Sequence, residues 1–183
     1  MGLVYFTADT HFGHRTICKY RPEFSSPAQH DEVIIDNWNK TVKKSHDIVW
    51  VLGDVVIKNK DYDFDSILNR LRGIIRIIVG NHDDIHYYKT SALLNKRFHL
   101  WNGMHKAYGY WLTHAPIHPD ELRGKKNIHG HVHNKTIPDD RYINVCVDNI
   151  GYTPVSLEEI RNGTRRTQGL DNRISNIQDK GEL

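Results

Sequence analysis

The residues of this chain that can do chemistry fall into five short clusters. The densest is Gly130-His131-Val132-His133, where two imidazoles stand one residue apart behind a glycine. Upstream lie Asp9-Thr10-His11, Gly53-Asp54, Gly80-Asn81-His82-Asp83 and Thr113-His114. Each cluster alone has an ordinary explanation: Asp-x-His caps a loop, Gly-Asp makes a turn, and a lone histidine hydrogen-bonds in a core. Together, Asp9, His11, Asp54, Asn81, His114, His131 and His133 offer carboxylate oxygen, amide oxygen and imidazole nitrogen. That mixture suits borderline-to-hard divalent ions such as Mn2+, Fe2+ or Zn2+. The donors are too many for one ion and enough for two if Asp54 is shared. Two such ions, two carboxylates and a shared hydroxide leave the centre at about +1, attractive to a phosphate.

Hydrophobic period identifies the elements that must position these residues. Leu3 to Phe6, Ile48 to Leu52 and Ile74 to Val79 are short apolar runs that read as buried strands, and each leads into one of the clusters. Between them, Ile34, Trp38 and Val42 recur every fourth residue from Asp31 onward, and Phe64, Ile67, Leu68 and Leu71 repeat the helical spacing. Gly73 then follows as a left-handed cap. The expected order is strand, helix, strand, helix, strand, with a polar residue past each strand, where open α/β sheets place their chemistry. Phe98 to Leu100, Met104 to Ala107 and Tyr108 to Leu112 read as antiparallel strands or hairpins broken by glycines. Ile143 to Val147 is a further strand. Ser156 with Glu159 forms a capping box at a last helix start.

Composition sets outer bounds. A chain of 183 residues fits one domain, here expected over 1–165, with a polar, flexible tail over 166–183. The formal charge of +3 permits an anionic substrate, and the absence of a long basic run means nucleic acid is not demanded. Cys18 and Cys146 are expected as reduced thiols. No stretch approaches the roughly 20 apolar residues of a membrane span and no leader pattern opens the chain, so a cytoplasmic protein without membrane contacts is expected. Among 13 histidines, His30, His46, His86, His99 and His105 carry no partner signature and read as surface or core, and His129 as structural support. The four tryptophans fall in apolar stretches and read as packing.

In order, the five clusters match the motifs of the calcineurin-like metallophosphoesterase superfamily. The flanking Asp9-Thr10-His11-Phe12-Gly13-His14 and Tyr152-Thr153-Pro154-Val155-Ser156 resemble its small single-domain branch from bacteria and their phages. The resemblance implies an α/β fold, a four-layer αββα sandwich of two mixed sheets flanked by helices. It implies that Asp9, His11 and His133 hold one divalent ion, that Asn81, His114 and His131 hold a second, and that Asp54 bridges them. Mn2+ is the expected metal, with Fe2+, Zn2+ or Ni2+ as alternatives. The implied reaction is hydrolysis of a phosphate ester, with a diester favoured over a monoester, by a hydroxide shared between the ions. His82 would assist the leaving group, with Asp83 orienting it. His14, Arg15 and His118 are candidate substrate contacts. The partner is then a phosphate ester, with a nucleotide or nucleic acid within range. Two other readings remain beside it: a nuclease acting on DNA or RNA, and a non-catalytic binding scaffold on the same fold. The second requires missing ligands, and the chain carries them all.

Overall fold

Strands that are apolar on both faces must be covered on both faces, and this requirement shapes the molecule. The computed structural model describes residues 2–57, 63–94, 96–101 and 103–163; the expected tail over 166–183 lies outside them. Strands β1 (Val4–Thr7), β2 (Ile48–Leu52), β3 (Ile74–Ile78) and β4 (Phe98–Trp101) run parallel. A second sheet contains β5 (Met104–Ala107), β6 (Tyr110–Thr113), β7 (Lys126–His129) and β8 (Tyr142–Asn144), with β5 antiparallel to β6 and the rest parallel. The short β9 (Val155–Ser156) adds antiparallel to β1, giving the orders β4-β3-β2-β1-β9 and β5-β6-β7-β8.

Period-two alternation divides the first sheet's side chains between two cores. Tyr5, Val49, Val51, Ile75 and Ile77 face helices α1 (Pro27–Thr41) and α2 (Phe64–Arg70), which supply Val33, Ile34, Trp38, Phe64, Ile67 and Leu68. Phe6, Trp50, Leu52 and Ile78 face Leu112 and Ile128 of the second sheet and Val145 just past β8. The short helices α3 (Ile85–Lys89) and α4 (Leu157–Arg161) complete the α/β layering of two mixed sheets flanked by helices. The Ser156–Glu159 capping box is present at α4 as expected.

The structure departs from the sequence expectations at several points. Helix α1 starts at Pro27, capped by Ser26 accepting from the Gln29 N–H at 3.1 Å, a Ser-Pro start signal upstream of the apolar spacing. β4 is parallel to β3 and belongs to the first sheet, because the chain passes through α3 before returning. Tyr108 is no strand residue: with Gly109 it forms the left-handed turn of the β5–β6 hairpin. His105 stacks on Trp50 at 5.1 Å between centroids, and the Arg76 guanidinium lies 5.3 Å over the Trp50 ring.

Asp47 ties the N-terminal ends of three strands together. Its Oδ1 accepts from the Leu3 N–H at 2.8 Å, its Oδ2 from Lys44 N–H at 3.0 Å, and its carbonyl from Ile74 N–H at 2.8 Å. A Cβ on Gly73, which has φ +91° as expected, would meet that carbonyl at 2.8 Å. Burial works against the Asp47 carboxylate, but the N–H groups of Lys44, Leu3 and Lys43 outweigh it and hold the pKa below the ordinary 3.8. A lowered folded pKa gives stability that is present above 3.8 and lost as pH falls through the folded value. Asp47→Ala is therefore expected to lower unfolding free energy at pH 7 by about 1–3 kcal/mol, read from urea midpoints. The gap to wild type should narrow below pH 3.8, and a gap independent of pH would contradict the role assigned to the charge.

Candidate metal centre

Parallel strands end on one rim, so residues placed just past their ends converge. Asp9 follows β1, Asp54 follows β2, Asn81 follows β3, His114 follows β6 and His131 follows β7. The backbone turns sharply there. Asp9, His11, Asp54, His131 and His133 all take left-handed backbone, with φ of 57°, 49°, 54°, 71° and 50°. For non-glycine residues this conformation costs about 1–3 kcal/mol each and persists only where surroundings impose it.

Glycines make the close approaches possible. A Cβ on Gly53 would lie 2.2 Å from His114 Nδ1, on Gly80 2.3 Å from Asp54 Oδ1, and on Gly130 2.4 Å from Asp9 Oδ2. Gly130 thus lets its backbone come close to the site, with the Asp9 carboxylate as its neighbour.

Two groups of donor atoms result. In the first, Asp9 Oδ1 lies 3.9 Å from His11 Nε2 and 4.0 Å from His133 Nε2. Asp9 Oδ1 and both His11 ring nitrogens are buried without a hydrogen-bond partner among the described residues. Such atoms carry an unmet desolvation cost that a cation among them removes. In the second, Asn81 Oδ1 lies 2.8 Å from His114 Nε2 and 2.9 Å from His131 Nδ1, with 3.2 Å between the two nitrogens. His114 Nδ1 faces the Leu52 carbonyl at 2.8 Å; a carbonyl only accepts, so the ring proton sits on Nδ1 and Nε2 shows a lone pair. Lone pairs gathered this closely repel one another and are reconciled by a positive centre between them. Asp54 Oδ2 stands between the groups, 3.9 Å from His11 Nε2 and 3.5 Å from His114 Nε2. Asp9, His11 and His133 can hold one metal ion, and Asp9, Asp54 and His114 form a second overlapping set.

Electrostatics favour an ionised Asp9 and a neutral His14 here. Burial opposes the Asp9 charge, but His11, the Cys146 thiol at 3.0 Å and the His131 N–H at 2.9 Å overcome it and lower its pKa. Burial lowers His14, assisted by repulsion from His11 and Arg21. His133 moves the other way, because Asp148 Oδ2 accepts from its Nδ1 at 3.3 Å.

The remaining candidates are placed as follows. His82 is exposed, its N–H bonded to Asp54 Oδ1 at 2.9 Å and its ring 5.7 Å from that of His11. Asp83 accepts from the N–H groups of Asp54, Val55 and Gly80 at 2.8–2.9 Å and from the Tyr88 hydroxyl at 2.5 Å. Its carboxylate thus buckles the Asp54 and Gly80 turns together, a different arrangement from the expected support of the His82 ring. The His14 ring lies 6.0 Å from His11 and stacks on exposed Tyr20, and Arg15 is exposed on the same loop. His118 is exposed at the cap of the Pro119–Glu121 turn, with its ring facing Asp120. His129 is buried with Nδ1 on the Gly130 carbonyl, the structural placement expected of it. Arg21, His30, Asp148 and Tyr88 belong to the surroundings of the site and were not legible as such. Asp148 had a usable signal, since it follows the apolar run ending at Val147 just as Asp54 follows its strand.

Comparison with known proteins agrees with this geometry. The model of the calcineurin-like phosphoesterase family matches residues 2–179. The chain is 36% identical over 173 residues to the uncharacterized protein MJ1445 of Methanocaldococcus jannaschii, covering 87% of this chain and 90% of that one. It is 30% identical over 198 aligned positions to the Gene 66 protein of Mycobacterium phage D29, covering 88% and 95%. Among solved structures, a protein of unknown function from Aquifex aeolicus, AQ665, superposes with a TM-score of 0.68 at 26% identity, over 88% of this chain and 99% of that one.

Unmet donors make metal uptake a stability effect. Chelator-treated protein is expected to melt higher when a divalent ion is added, by the equivalent of about 2.7 kcal/mol once the ion exceeds its Kd a hundredfold. Gly130→Ala, which drives a methyl into Asp9 Oδ2, is expected to lose most of that gain. Scanning calorimetry with Mn2+, Zn2+, Ni2+ and Mg2+ checks both; a melting point indifferent to every ion contradicts the site.

Proposed function

The chain belongs to the calcineurin-like phosphoesterase family, whose members are metal-dependent, and from that footing we propose that it hydrolyses phosphodiesters at a centre of two divalent ions. Asp9, His11 and His133 would hold the first ion and Asn81, His114 and His131 the second, with Asp54 shared between the two sets. One observation carries this reading: unpartnered or lone-pair-bearing donors gather in two groups on either side of Asp54 Oδ2. Carboxylate, amide and imidazole donors suit Mn2+, with Fe2+, Zn2+ and Ni2+ as competitors. When bound, the ions supply Lewis acidity toward phosphoryl oxygens and lower the pKa of water into the neutral range.

The chain's own groups supply the rest. His82 is anchored through its backbone N–H on Asp54 while its ring stays exposed beside the ligands, and it donates a proton or hydrogen bond to the departing ester oxygen. Asp83 holds the turns carrying Asp54 and Asn81 in fixed relation. His14 and Arg15 contact the phosphate from the loop after His11. Asn81, His82 and His131 are all exposed, so the centre is open along one side and admits a phosphate with two ester arms.

Replacing His82 by Ala is expected to leave metal content unchanged while turnover of bis(p-nitrophenyl) phosphate falls by about 10²- to 10⁴-fold. Wild-type kcat/KM for that diester should exceed that for p-nitrophenyl phosphate. Undiminished hydrolysis in the variant would remove His82 from the reaction, and a preference for the monoester would reverse the substrate class.

A further inference from the structure

A buried chain of charged and polar groups runs behind the first donor group. Arg21, 2% exposed, donates through Nε to Asp148 Oδ1 at 2.9 Å and through Nη2 to Oδ2 at 3.0 Å. The same Nη2 donates to the main-chain carbonyl of Asp9 at 2.8 Å. Nη1 meets His30 Nε2 at 2.7 Å, and because guanidinium only donates, that nitrogen accepts. His30 therefore carries its proton on Nδ1 and gives it to Asp31 Oδ1 at 2.8 Å, while Asp31 Oδ2 accepts from the Gly13 N–H at 3.1 Å. At the other end, Asp148 Oδ2 accepts from His133 Nδ1 at 3.3 Å. The network thus reaches each segment that delivers the first group: Asp9 through its carbonyl, the loop after His11 through Gly13, and His133 through its ring.

We propose that Arg21 and Asp148 are positioning residues for the first metal site. Asp148 keeps the His133 proton on Nδ1, so that Nε2 presents its lone pair toward Asp9 Oδ1, and Arg21 neutralises Asp148 so that a further buried carboxylate can stand beside the centre. The second group is braced differently. His114 is set by the Leu52 carbonyl, and Asn81 rides on the Gly80 turn held by Asp83. Breaking the Arg21–Asp148 pair therefore weakens one site and spares the other. This inference rests on the two-ion reading above.

The test uses the full chain, stripped with chelator and titrated with Mn2+, with bound metal counted by mass spectrometry and the spin state followed by electron paramagnetic resonance. Wild type is expected to bind two ions and show an exchange-coupled pair. In Asp148→Ala the first site should weaken by about 10- to 100-fold while the second keeps its affinity, leaving an uncoupled six-line spectrum. Asp148→Asn, whose amide oxygen still accepts from His133 Nδ1, should recover part of the loss. Arg21→Lys, which keeps the charge but not the two-pronged contact, should lose first-site affinity by a smaller factor, and it carries the test if Asp148→Ala lacks a folded near-ultraviolet circular dichroism spectrum. Two ions at wild-type affinity in the folded variants, or equal weakening at both sites, would overturn the brace alone. A wild type that binds a single ion would overturn the two-ion reading beneath it.

Discussion

Electron-rich atoms that face one another at the rim where the parallel strands end impose the strongest constraint on this molecule. Asp9 and Asp54 are buried carboxylates 0% and 1% exposed, and His11 offers two ring nitrogens with no hydrogen-bond partner among the described residues. Nothing in the hydrophobic effect favours that gathering; each group loses solvation and repels its neighbours. Left-handed backbone at the same positions adds conformational cost, of about 1–3 kcal/mol per residue. The surrounding structure must therefore supply enough burial and hydrogen bonding to hold an arrangement that the site residues would not adopt alone.

It does so through architecture more than through any one contact. Parallel strands in both sheets deliver their C-terminal ends to one rim, and the two sheets meet over Phe6, Trp50, Leu52, Leu112 and Ile128, all fully buried. Each such side chain contributes roughly 1.5–3 kcal/mol, so a few offset the strain at the rim. Glycines then remove the atoms that would prevent approach. Gly53, Gly80 and Gly130 face the His114, Asp54 and Asp9 side chains at distances no Cβ tolerates. Asp83 joins two of the turns through backbone N–H groups, which makes the spacing of Asp54 and Asn81 a property of the fold and not of their own side chains.

Much of this was legible because its signals are local. Apolar runs such as Ile48–Leu52 report burial on both faces, and a polar residue just beyond reports the strand end. The β7 strand was missed because Lys126, Asn127 and His129 leave Ile128 as its one aliphatic residue. β9 was missed because two residues carry no period. The apolar spacing places the start of α1 too late because it begins inside the helix, beyond the Ser26-Pro27 signal. Sequence adjacency pairs Asp83 with His82, whereas its carboxylate oxygens accept from the N–H groups of Asp54 and Val55. The Arg21–Asp148 pair spans 127 positions, and no local pattern announces a contact of that range. Left-handed backbone at Asp9, His11, Asp54, His131 and His133 is equally silent, since those residue types allow it without requiring it.

The two donor groups differ in how their rings are held, and that difference has a physical consequence. His114 is oriented by a neutral carbonyl, so its proton location is set by the backbone of β2 and survives changes in side-chain charge. His133 is oriented by a carboxylate that burial would discharge, were it not for Arg21 and His133 itself, which together hold Asp148 well below the ordinary carboxylate range. A half-exposed ring backed by a carboxylate is a stronger electron donor than one backed by a carbonyl, because negative charge on the accepting atom raises the basicity of the opposite nitrogen. On the proposed assignment the first ion thus meets the more anionic set, with Asp9 beside an Asp148-backed imidazole. The second meets Asn81 and two imidazoles, and depends on Asp54 for its negative charge. Asp54 Oδ2 stands near rings of both groups, so a shared Asp54 would couple them: an ion drawing its carboxylate more strongly would leave the other set more electron-poor, although the two halves are braced by separate parts of the fold.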